Sequence, residues 1–140
     1  MFKHILIATD GSDNANRAIE KAVEMVEPYK EHVSMDLVYC IDGDTSKKDI
    51  LKYGDAELAD IKRRKMFANK LSYLEDQGIK TENVFLHGEP AKTILTQLDS
   101  KPYDCVVVGS RGMNEFQTLI LGSVSHKLAK YVKIPLLIVK

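Results

Sequence analysis

Residues 104–123 read DCVVVGSRGMNEFQTLILGS, and the kind of sheet this chain builds turns on that stretch. Cys105 to Val108 is a short, nearly continuous apolar run, the mark of a strand covered on both faces. A strand exposed on one face would alternate apolar and polar residues instead. Gly109 stands just past its end, Gly112 follows three residues later, and Gly122–Ser123 opens a new amphipathic segment.

The segments on either side of this stretch repeat its theme. Phe2 to Ala8 reads as a first strand, closed by the turn cluster Thr9-Asp10-Gly11-Ser12. With Asp13 as predicted N-cap, Ala15, Ala18, Ile19, Ala22, Val23 and Val26 recur at helical spacing and stop near Pro28. His32 to Asp42 predicts a second strand. The polar segment containing Gly43 and Gly54 reads as a loop with at most one helical turn. A long charged helix is expected over Asp55–Gln77, with Leu58, Ile61, Ala68, Leu71 and Leu74 as its apolar stripe and Gly78 at its end. Thr81 to Leu86 predicts a third strand, and Ala91, Ile94, Leu95 and Leu98 a third helix ended by Lys101-Pro102. After the opening stretch, Val124, Leu128, Tyr131 and Val132 mark a fourth helix, and Leu136 to Val139 a last strand beyond Pro135. Strands alternating with helices predict one α/β domain over residues 1–140, a three-layer, doubly wound, five-stranded parallel sheet with right-handed crossovers.

Composition excludes several function classes. The 20 Lys+Arg balance the 20 Asp+Glu, so no overall charge draws the chain to nucleic acid or to an anionic membrane. The one basic cluster, Lys62-Arg63-Arg64-Lys65, lies within the long charged helix and reads as a solvated face. No apolar run reaches the roughly 20 residues of a membrane span, and the N-terminus has no signal-peptide layout, so a cytoplasmic location is expected. Cys40 and Cys105 form no CxxC pair, and His4, His32, His87 and His126 lack metal-motif spacing, so no metal site built by the protein is expected.

In a sheet of this kind ligands sit beyond the carboxyl ends of the strands, where the strand order reverses. The segments there are Asp10-Gly11-Ser12, Cys40-Ile41-Asp42 and the stretch from Gly109 onward. Glycine at 109 and 112 would let a ligand lie against bare backbone and would permit positive φ. Gly122 and Ser123 open a helix whose first N–H groups have no partner within it, and these donors favour phosphate. Ser123 offers an N–H and a hydroxyl, and Ser125 a second hydroxyl. The expected layout puts a sugar near Gly109 and phosphates between Gly112 and Gly122–Ser123. Met113 to Leu121 would bridge them and bury Leu119, Ile120 and Leu121. Each of these residues also has a plain structural reading as turn former, close-packing glycine or N-cap. Neither the P-loop Gly-Lys-Ser/Thr nor the dinucleotide GxGxxG is present.

The spacing Gly-x2-Gly-x9-Gly-Ser, filled by Gly109, Gly112, Gly122 and Ser123, resembles the nucleotide-binding branch of the universal stress protein family. HILIATDGS (4–12), LVYCID (37–42), HGEPAKTIL (87–95) and DCVVVGSRG (104–112) extend the resemblance over essentially the whole chain. It implies a sheet of order 3-2-1-4-5, of the adenine nucleotide alpha hydrolase-like kind, with ATP in the cleft. By position, Asp10, flanked by Ala8 and Thr9, and the backbone at Cys40 would meet the nucleoside end. Gly109 would lie by the ribose, and Gly112, Gly122, Ser123, Val124 and Ser125 would hold the phosphates. Arg111 is a candidate phosphate or partner contact, or plain solvent-facing charge, and His126 a phosphate contact or, more in keeping with its place, a solvent-facing or capping residue. Magnesium would be carried by the phosphates. The resemblance also implies a homodimer through the last strand, 136–139, whose exposed edge invites pairing. With the first strand between them, Cys40 and Cys105 stand about 9–10 Å apart or more, too far for a disulfide.

Catalysis needs a base or nucleophile beside the reacting atom. Asp10 is the carboxylate that the sequence places in the cleft, at the nucleoside end, and no Walker-type lysine is visible. An ATP-binding regulatory protein with slow or no hydrolysis is the expected function. The alternative is a stress protein that binds no nucleotide and acts by dimerising or docking a partner. A phospho-acceptor receiver is disfavoured because the third strand ends Leu86-His87-Gly88 with no acceptor Asp, and a flavin carrier because the chain has no Trp.

Overall fold

β1 (His4–Thr9) is buried in five of its six positions because it is the middle strand, with β2 (Ser34–Ile41) on one side and β4 (Cys105–Gly109) on the other. In this computed structural model, which describes residues 1–111 and 121–140, β3 (Lys80–His87) and β5 (Leu136–Val139) form the two edges. All pairs are parallel, and the order is β3-β2-β1-β4-β5. The fold is thus the five-stranded α/β sandwich that the sequence predicts, in the order that the family resemblance implies.

Alternate residues of the central strands supply two cores. Ile5, Ile7, Leu37, Tyr39 and Val107 face α1 (Asp13–Val26) and α3 (Ala56–Asp76). Leu6, Ala8, Val38, Val106 and Val108 face α4 (Pro90–Ser100) and α5 (Ser123–Tyr131). Each fully buried Ile or Leu in these layers contributes about 1.5–3 kcal/mol. Among the described residues no helix is long and apolar enough to cross a membrane.

Several local expectations change. The N-cap of α1 is Ser12, whose Oγ accepts from the Ala15 amide at 3.2 Å, while Asp13 is the first helical residue, where its charge suits the helix dipole. As expected, α1 stops just before Pro28, which lies in the first turn of a 3₁₀ helix (Glu27–His32). The segment read as a loop after β2 is an 11-residue helix, α2 (Gly43–Tyr53). In α3 the buried positions are Ala59, Arg63, Phe67 and Leu74, whereas Leu58 and Ile61 are exposed. The basic cluster is therefore not wholly solvated: Arg63 is drawn inward by a carboxylate on α2 and by the Tyr39 ring. Tyr131, expected on the buried side of α5, is exposed.

The amino ends of the strands carry a polar knot. Asp36 on β2 is buried and takes hydrogen bonds from Tyr103 Oη at 2.5 Å and Lys101 Nζ at 3.1 Å, with His4 Nε2 at 3.3 Å. Burial, reinforced by this carboxylate, pushes the Tyr103 hydroxyl up to about 12. The knot pins β1, β2 and the approach to β4 at the end of the sheet away from the cleft.

Candidate functional site

At the carboxyl ends of the strands lies a cavity of about 410 Å³, inside the range usual for small-molecule sites. Its floor is built by two turns. After β1, Asp10 Oδ1 accepts from the Ser12 amide at 2.9 Å and Thr9 Oγ1 from the Gly11 amide at 3.2 Å, so the side chains themselves shape the turn. Gly11 adopts φ +83°, and Met66 of α3 closes over it.

The second turn follows β4. Ser110, almost fully buried, donates its amide to the Val139 carbonyl at 2.7 Å and accepts from the Gly122 amide at 2.6 Å. Ser125 Oγ lies 2.8 Å from the Ser110 carbonyl and 3.1 Å from that of Gly122, sharing its proton between them. The hydroxyl expected to serve phosphate is thus committed to stapling α5 onto the end of β4. The first turn of α5 is the feature of this wall whose amides could meet an anion.

Gly109 does not use the left-handed conformation that the sequence suggested; none of its kind is found at 109 or 122. Instead, a Cβ at 109 would stand 3.1 Å from the backbone C and O of Asn14, so any side chain there presses on the first turn of α1 where it crosses β4.

Of the residues singled out from sequence, Ala8, Thr9, Asp10, Cys40, Gly109, Arg111, Gly122, Val124 and Ser125 line this one cavity. Ser123 is the first residue of α5, at its rim and exposed. Gly112, and the expected burial of Leu119 and Ile120, lie outside the described residues. Cys40 turns its thiol onto α4, 3.3 Å from Thr93 Oγ1, and burial raises its pKa. Cys105 is buried and free, with burial pushing its thiol up to about 11.

The opposite wall was missed from sequence. It comes from α2 and α3, which bring Lys48, Asp49, Lys52, Lys62, Arg63 and Met66 to the cavity. Asp42 and Asp49 join Asp10, so Asp10 is not the sole carboxylate of the cleft. Burial works against the Arg63 guanidinium, but its bond to Asp49 and that carboxylate's charge outweigh it and raise its pKa. Burial lowers the pKa of Lys70, one α3 turn beyond Met66, whose ammonium donates to Asn16 Oδ1 on α1, and Asp10 opposes that fall. The usable signal for this wall was Arg63, a charged residue at i+4 from Ala59 and i−4 from Phe67 on the buried face. Among the described residues no group of three or more His, Cys, Asp or Glu side chains is placed to hold a metal ion.

The sequence profile of the universal stress protein family matches residues 1–140, and the chain belongs to that family. It is 32% identical over 152 residues to the universal stress protein YxiE of Bacillus subtilis, covering all of both chains. Among solved structures, protein MJ0577 of Methanocaldococcus jannaschii superposes with a TM-score of 0.83 at 28% identity, covering 100% of this chain and 96% of that one. A universal stress protein in complex with cAMP matches with a TM-score of 0.71 at 24% identity, covering 99% and 97% of the two chains.

Proposed function

We propose that this chain binds an adenine nucleotide, ATP with its magnesium, in the cleft between the β1 and β4 turns and acts as a nucleotide-loaded regulatory protein with slow or no hydrolysis. The observation that carries the reading is the convergence of residues 8–10, Cys40, Gly109 and Gly122 to Ser125 around one nucleotide-sized cavity at the mouth of α5. A neighbour of the same fold is in complex with cAMP, which favours an adenine ligand for this fold. Asp10, Ala8, Thr9 and the Cys40 backbone take the nucleoside end. Gly109 flanks the ribose, and Arg111 with the opening turn of α5, Ser123 and Val124 included, takes the phosphates. Magnesium travels on the phosphates. Ser125 contributes by fixing α5, since its hydroxyl is already engaged.

Isothermal titration of the purified protein with Mg-ATP, AMP and cAMP tests this, together with mass spectrometry of any nucleotide that co-purifies. Saturable binding of at least one of the three supports the reading. Binding of none, with none co-purifying, refutes it and favours a protein that works by dimerising or docking a partner. Turnover of ATP above about 1 s⁻¹, the low end of typical enzymes, would refute the regulatory part alone.

A homodimer through β5 completes the proposal. β5 is an edge strand paired with β4 on one side, and Leu136, Leu137 and Ile138 are half-buried there. A second copy adding its own β5 would cover that edge.

A further inference from the structure

Helix α2 is an unusual cleft wall. It packs chiefly on α3 and not on the sheet, yet it carries Lys48, Asp49 and Lys52 to the cavity. Seven polar or charged residues among its eleven give it little apolar surface with which to dock.

What fixes it is Arg63. The Arg63 Nη2 lies 2.5 Å from Asp49 Oδ2 on α2, its Nη1 lies 3.6 Å from Asp60 Oδ1 on its own helix, and its Cζ stands 5.9 Å from the Tyr39 ring on β2. One side chain therefore ties α2, α3 and the sheet together. It is only 8% exposed, and its Nε has no hydrogen-bond partner among the described residues. A buried guanidinium cannot give up its carboxylate cheaply, because water does not replace the lost charge. The docked position of α2 and the Arg63–Asp49 pair stand or fall together.

We propose that Arg63 is a positioning residue for the cleft: by gripping Asp49 it holds α2 as the cavity's outer wall and keeps Lys48 and Lys52 facing the bound anion. The ligand half of this statement rests on the nucleotide reading above; the docking of α2 does not.

The test uses Arg63→Gln, Asp49→Asn, the double variant and Arg63→Lys. Two readouts are taken: hydrogen exchange of the 43–53 amides without ligand, and Mg-ATP affinity by titration. In Arg63→Gln and Asp49→Asn, exchange in α2 should rise about tenfold or more while the amides of β1 and β4 hold their protection. If the docked fraction falls to about a tenth, the apparent Kd for Mg-ATP rises about tenfold. The double variant should bind no worse than the poorer single one, since both remove one interaction. Arg63→Lys should recover part of the loss. Unchanged α2 exchange in Arg63→Gln overturns the proposal, and so does sheet exchange rising in step with α2, which would make Arg63 a support of the whole fold. Additive losses of affinity also overturn it, because they would place Arg63 directly on the ligand. If the wild type binds no nucleotide but α2 loosens as expected, the nucleotide reading fails and the docking role stands.

Discussion

The amide of Gly122 donates to the carbonyl of Ser110 across 2.6 Å, so the two glycine half-sites, far apart in sequence, meet at the end of β4. Ser125 reinforces the same carbonyl from the next turn of α5. The wide spacing between the glycines therefore does not loosen the site, because its two ends are tied to one buried oxygen. Gly122 is itself extended, at φ −72° and ψ 171°, a conformation open to any residue.

That geometry makes Gly122→Val a clean probe. The backbone tolerates a β-branched residue, and because Gly122 lines the cavity the added side chain is expected to crowd the α5 amides. Titration should show Mg-ATP affinity reduced by a hundredfold or more, about 3 kcal/mol, with the thermal midpoint nearly unchanged. Equal affinity in the variant would remove the α5 mouth from the site.

Gly109→Ala should act in the opposite sense, on stability first. Its Cβ would press on the Asn14 backbone at 3.1 Å, and neither α1 nor β4 can retreat easily from so central a contact. A loss of about 1–3 kcal/mol in urea denaturation is expected. A variant as stable as the wild type would show that the crossing of α1 over β4 is looser than the distances imply.

Alkaline pH should weaken the fold through Tyr103. Burial and then Asp36 raise this hydroxyl to about 12, against about 10 in an unfolded chain. The folded state keeps a proton that the unfolded state releases, so this contribution is complete below pH 10 and is lost as pH climbs toward 12. Cys105, raised to about 11, titrates in the same window, so the comparison must be with Tyr103→Phe. Urea midpoints measured from pH 8 to 11 should fall less steeply in that variant. At neutral pH it should also cost about 1–2 kcal/mol, since buried Asp36 loses a donor. Parallel slopes for the two proteins would contradict the assignment.

The β5 edge allows a selective test of assembly. The Pro135 and Val139 carbonyls accept from Val106 and Ser110 of the β4 side, so the odd residues of β5 turn their backbone toward β4. Leu136 and Ile138, alternating with them, turn theirs to the open edge. Ile138→Pro removes an outward amide and leaves the β4 ladder intact. Light scattering should show the wild type as a dimer and this variant as a monomer with an unchanged far-UV spectrum.

The strands and the β1 and β4 turns were legible because their signals are local. Cys105 to Val108 is an uninterrupted apolar run, and the turn after β1 carries its own Asp, Gly and Ser. Helix α2 was not, because little in GDTSKKDILKY repeats at helical spacing and its docking depends on Arg63, ten residues past its end in sequence and brought close only by the fold. The α3 stripe was misplaced for a related reason: Leu58 and Ile61 look like core residues, but Arg63 occupies the inner face once Asp49 and Tyr39 receive it. Gly109 was read as room for a ligand, while the need for glycine there comes from a neighbour in space, Asn14, that no local pattern announces.

The cleft consequently has walls of unequal permanence. One is the sheet edge, with Ser110 clamped between β5 and α5; the other is a polar helix resting on its neighbour. On the proposed nucleotide reading, the first would set which molecule fits and the second how long it stays. Residence time and selectivity in this fold can then be tuned separately, by changes on α2 that leave every glycine in place.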